Sequence, residues 1–145
     1  MGGKPLRRTS AFGLSVLVGA FGGITLQSLV ALADQPPPMS EWWAIPVIIV
    51  GYGLLAIPFV ALGLAIFGLP VTRLLRSEAQ SWWLGIVAAV WGAVAGKLMF
   101  YAIDHLIFMG FYDFREVALT DLGILYGVPT GLAWWAFYRR ELATR

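Results

Sequence analysis

Few residues of this chain have side chains able to do chemistry inside an apolar environment, and they converge on one stretch. Gly96-Lys97-Leu98-Met99-Phe100-Tyr101-Ala102-Ile103-Asp104-His105 sets a lysine in an otherwise apolar run. At about 100° per residue, Lys97, Tyr101, Asp104 and Phe108 fall within about 60° of one another on a helix. Gly92 and Gly96 turn away by more than a quarter of the circumference. A helix here has a polar strip and a separate smooth face. A charge at mid-bilayer costs from about 2.5 to above 10 kcal/mol, so the strip is expected to face protein or a polar cavity rather than lipid.

Depth counting supplies companions for the lysine. Gln27 and Ser28 on the first apolar segment, Tyr52 on the second and Tyr126 on the last fall near its level. Gln27, Tyr52, Lys97, Tyr101 and Tyr126 are expected to form an intramembrane polar cluster, with Asp104 or Asp121 as counter-charge. One reading makes this a site for an anion, a substrate or a lipid headgroup, entered from the outer face. The other makes Lys97 structural, satisfied by tyrosine hydroxyls or reaching toward Asp104. Asp121, following Thr120, also reads as a helix cap. His105 beside Asp104 reads as a headgroup-level histidine, with a pH-sensitive pair as the alternative.

Other chemistries lack their residues. There are no cysteines and one histidine, which removes thiolate metal sites, bis-histidine haem and most zinc chemistry. No Ser-His-Asp set, phosphate-binding glycine loop or catalytic carboxylate pair is present. Neither an enzyme nor a metal or other cofactor is expected.

The elements that position these residues follow from composition. Of 145 residues, 59% are hydrophobic and 12% charged, where a soluble domain carries roughly twice that charge. The 17 glycines and seven tryptophans suit transmembrane helices and their boundaries. A net charge of +2 does not indicate nucleic acid, because the basic residues flank apolar spans and form no stripe. The expected fold is all-α: an integral membrane protein with four transmembrane helices in an antiparallel bundle, spanning about 11–33, 42–70, 82–105 and 118–138. It forms a single domain over residues 1–145. The second stretch runs uncharged to Thr72, longer than a straight crossing needs, so a tilt, kink or turn must absorb the excess.

Orientation follows the basic residues. Lys4, Arg7, Arg8, Arg73, Arg76, Arg139, Arg140 and Arg145 share one side if four helices alternate, and Arg115 stands alone on the other. Both termini are therefore expected in the cytoplasm, with the chain multi-pass in a cell membrane of the bacterial inner-membrane kind. A cleavable signal ending at Ala31-Leu32-Ala33 is the rival reading of the start. The 23-residue apolar segment is longer than a usual signal core and favours an uncleaved helix.

Local signals place the joints. Asp34-Gln35-Pro36-Pro37-Pro38 is a stiff turn, Ser40 reads as the cap of the second span, and Ser77 with Gln80 as a capping box for the third. Pro58 and Pro129 are expected to bend their helices. Trp42-Trp43, Trp82-Trp83 and Trp134-Trp135 fall near span boundaries and read as headgroup anchors. The segment from Leu106 to Glu116 reads as an interfacial loop or short helix.

Small residues recur every fourth position in three spans: Ser15, Gly19, Gly23; Ala88, Gly92, Gly96; and Gly123, Gly127, Gly131. Each set makes a groove where another backbone can approach. Three grooves exceed what a minimal bundle needs, which points to a partner: another membrane protein, or a second copy of the chain in an oligomer, besides membrane lipid. The expected role is an accessory or interaction subunit of a larger membrane complex, docking through its glycine-rich faces. The alternative is a small oligomeric channel or carrier with the Lys97 site open to the outer side.

Overall fold

The computed structural model describes residues 8–74, 81–107 and 121–143, and it is all-helical there. Helix α1 is Arg8–Asp34. Helix α2 (Ala44–Gly63) runs through one π turn (Leu64–Gly68) into α3 (Leu69–Leu74), making a single long rod. Helix α4 is Trp83–Ile107 and α5 is Leu122–Ala143. Three of these rods are long and apolar enough to cross a membrane: Thr9–Asp34, Ala44–Thr72 and Trp83–Leu106.

Helix α5 falls short of that apolarity because it is the central helix. It packs against α4 most extensively and α1 next, and α1 in turn packs on α2. The spatial order is therefore α2, α1, α5, α4. A helix enclosed by protein can carry Gly, Thr and Tyr where a lipid-facing helix carries Leu and Val. Neighbours run antiparallel, since Gly19 meets Thr130 while Gly23 meets Tyr126, and Gly92 meets Gly127 while Gly96 meets Gly123. One end of the bundle, the termini end, thus holds Arg8, Thr72, Trp83 and Ala143. The far end holds Asp34, Ala44 and Ile107.

The small-residue sets hold this row together. Gly92 and Gly96 of α4 lie on Gly127, Gly131 and Gly123 of α5, backbone to backbone. A Cβ on Gly127 would lie 2.7 Å from the Gly92 carbonyl carbon, and one on Gly123 would lie 2.6 Å from the Lys97 backbone nitrogen. On the other side of α5, Gly19 receives the Thr130 side chain and Gly23 the Tyr126 ring. All three sets are therefore filled from within the chain. Four-residue spacing shows where a backbone can approach, not whose backbone arrives.

Buried hydroxyls are satisfied locally. Ser15, Thr25 and Thr130 each donate to the carbonyl four residues earlier, at 2.7, 2.7 and 2.6 Å, so small polar residues enter an apolar core without orphaned donors.

The second rod is interrupted by the π turn. Pro70 has no N–H, and its ring crowds the carbonyl four residues back, so the turn before it widens. The Phe67 carbonyl accepts a hydrogen bond from the Trp91 indole of α4 at 3.1 Å. At Pro58 the rod continues as α-helix. Two local readings are corrected. Ser40 does not cap α2; it lies in a 3₁₀ turn (Met39–Glu41), and α2 starts at Ala44 with Trp43 before it and no side-chain cap. Trp134 is no boundary anchor; it is 5% exposed, stacked on Tyr138 and edge-on to Phe12. Trp42, Trp43, Trp82 and Trp83 are exposed, as anchors would be. Ser77, Gln80 and most of Leu106 to Glu116 lie outside the described residues.

Candidate functional site

Lys97 is buried, and its Nζ lies 3.2 Å from Asp121 Oδ2, with side-chain exposures of 9% and 4%. Asp121 also accepts from the Gly123 backbone N–H through Oδ1 at 2.8 Å, and the first helical bond of α5 runs from the Leu125 N–H to the Asp121 carbonyl. One carboxylate therefore caps α5 and neutralises the lysine. Its position beside the positive end of the helix dipole is favourable for an anion, and it stands between that end and the ammonium group.

The register of the glycine contact explains the need for this pair. Gly96 opposes Gly123, so α5 begins level with the middle of α4, and Leu98 to Ile107 continue past it. At 1.5 Å per residue the start of α5 is recessed by roughly 15 Å. A helix end with unsatisfied N–H groups sits deep in the bundle, and Asp121 with Lys97 closes it.

The other expected members of the polar cluster lie on α1, α2, α4 and α5. Tyr126 donates to Gln27 Oε1 at 3.4 Å, long for an O–H···O bond and correspondingly weak. Tyr101 is exposed and stacks on His105 with ring centroids 5.5 Å apart. Asp104 is half-buried further along α4, and Tyr52 is exposed on α2. Lys97 thus pairs with Asp121, Gln27 with Tyr126 and Tyr101 with His105. Sequence reasoning did not single out Glu141, which is buried at the termini end of α5. Among the described residues, no group of three His, Cys, Asp or Glu side chains comes together to hold a metal ion.

A groove lies elsewhere. The two outer helices of the row, α2 and α4, scarcely touch. Between them runs a groove of about 500 Å³, floored by α5 at Tyr126, Thr130 and Trp134. Its walls are almost wholly apolar and it opens along one side. It extends from Tyr52 and Ile103 toward the far end to Thr72 and Leu84 at the termini end. Glycines 63 and 68 on the α2–α3 rod and Ala56 and Ala95 on facing helices keep it wide. The Trp91–Phe67 hydrogen bond links α4 to the π turn between its walls.

The volume lies within the range of small-ligand sites, about 300–1,000 Å³. The groove's apolar walls suit a flexible apolar chain. Lys97 and Asp121 are not among its lining residues.

Compared with protein-family models, with curated proteins and with solved structures, the chain matches none.

Proposed function

We propose that this chain is a multi-pass protein of a cell membrane that binds an apolar chain of a membrane lipid in the groove between α2 and α4. In this reading all four rods lie in the bilayer with both termini in the cytoplasm. The excess of Lys and Arg at the termini end supports that orientation. The observation that carries the binding reading is the groove itself: about 500 Å³, apolar, and open to the side where lipid would stand.

Function as binding leaves Lys97 a structural part. Its ammonium group balances the carboxylate that caps α5 and is not among the groove's lining residues, so the groove offers the carrier reading no pathway through it. An accessory role drew its support from a glycine face left for another chain. With those faces filled from within, a protein partner would have to dock on side chains. Gentle solubilisation with identification of co-purifying chains tests that role.

The lipid reading is tested with the full chain reconstituted beside a phospholipid carrying a photoactivatable group on its acyl chain. Cross-links concentrated on Leu55, Ala95 and Met99 support it. Equal labelling of those positions and of exposed Leu17 and Leu29 on α1 would show ordinary bilayer contact only.

A further inference from the structure

The two ends of the groove differ in charge, and the difference points to a class of headgroup. We propose that the groove selects an anionic glycerophospholipid, inserted from the termini end with its phosphate at Arg139. This rests on the groove reading above and adds the polar half of the ligand.

Toward the far end the groove finishes at Tyr52 and Ile103, and the residue after Ile103 is Asp104, a carboxylate. An anionic headgroup is disfavoured there. At the termini end the lining includes Thr72 and Trp135. The Arg139 guanidinium lies over the Trp135 ring at 5.5 Å from its centroid, and the residue is exposed. A guanidinium held at an aromatic face is partly ordered in advance, and its in-plane N–H groups suit phosphate oxygens. The Thr72 hydroxyl donates to the Leu69 carbonyl at 2.8 Å, and Arg139 brings a cation to this end. Glu141 does not cancel that charge: two residues further along α5 it points about 200° around the axis, and it is buried.

Trp135 fixes the relation between groove and charge. Its ring packs on Gly85 of α4, where a Cβ would lie 3.1 Å from it. One side chain thereby forms part of the groove wall and carries the cation at its mouth. A lipid tail lying along α3 toward Gly63 would cover about 15 Å, the depth of one leaflet. Its phosphate would then sit at headgroup level beside Arg139. A net negative headgroup near one Arg gains about fivefold in affinity at a membrane surface, whereas the quaternary ammonium of phosphatidylcholine offsets its own phosphate.

The full chain is purified in mild detergent, delipidated, and titrated with phosphatidylglycerol or phosphatidylcholine of identical acyl chains, with bound lipid read by native mass spectrometry. Wild type is expected to favour phosphatidylglycerol about fivefold. Arg139→Gln abolishes the preference while leaving phosphatidylcholine binding intact, and Arg139→Lys restores most of it. Ala95→Phe weakens both lipids alike, with melting temperature checked so that a folding defect is not read as lost binding. Equal wild-type affinity for the two lipids, or a preference that survives Arg139→Gln, overturns the headgroup assignment and leaves the groove reading standing. Unchanged binding of both lipids to Ala95→Phe overturns the groove reading itself.

Discussion

Lys97 and Asp121 meet 3.2 Å apart at the point where α5 begins, beside a stretch of α4 that continues for Leu98 to Ile107. The pair answers why a lysine lies in this apolar run. Helix α5 begins level with Gly96 and Lys97, near the middle of α4. A capping carboxylate satisfies the Gly123 N–H, and a lysine from the next helix balances the carboxylate.

Removing one partner leaves the other buried and uncompensated. Lys97→Met is expected to cost about 3–5 kcal/mol of stability in detergent, and Asp121→Asn a similar amount. Asparagine can still accept from the Gly123 N–H, so the double variant Lys97→Met/Asp121→Asn should lose much less than the sum. Thermal melts of the four proteins, arranged as a double-mutant cycle, measure the coupling.

The glycine contact gives a second prediction with internal controls. Gly96→Ala and Gly127→Ala place a methyl group against facing backbone, which cannot move as a side-chain tip can. Each is expected to destabilise by about 1–3 kcal/mol. Gly13→Ala and Gly51→Ala meet nothing within 4 Å, and helix propensity makes them neutral or stabilising by up to about 1 kcal/mol. Comparable losses at all four positions would remove close packing as the cause.

These contacts also show where sequence reading succeeds and where it stops. Helix existence and rough ends were legible, because apolar runs longer than a crossing and the Asp34-to-Pro38 turn are local signals. The importance of the glycine sets was legible too. Their pairing was not, since spacing along one helix carries no information about which helix faces it. Asp121 was read as a cap and also named as a counter-charge; that it does both depends on the recess of α5, set by the Gly96–Gly123 register. Trp134 misled for a related reason: distance from Arg139 in sequence suggests a boundary, whereas packing against Phe12 and Tyr138 puts it inside. The groove had no sequence signal, being made by two helices failing to touch.

The tryptophans separate cleanly on this basis. Trp134→Ala is expected to cost about 3–5 kcal/mol by emptying the core beside Ala11, Val16 and Leu64. Trp82→Ala, at a position 73% exposed, should leave the detergent melt nearly unchanged. Equal effects would contradict the inward placement of Trp134.

The Trp91–Phe67 hydrogen bond links the two sides of the groove. Trp91→Phe keeps an aromatic ring and removes the donor, with an expected loss of about 0.5–1.5 kcal/mol. Because the chain has no native cysteine, spin labels at Leu55 and Ile103 can report the α2–α4 separation directly. A wider or broader distance distribution in Trp91→Phe is the expected result.

The most direct test of the account is the lipid retained by the intact protein. Wild type and the groove-filling variant Ala56→Phe, purified identically in mild detergent and shown to melt alike, are compared by native mass spectrometry. The account predicts a stoichiometric phospholipid on wild type that is several-fold depleted on Ala56→Phe. Equal retention by both proteins, or wild type emerging free of lipid under conditions that preserve its fold, would contradict it.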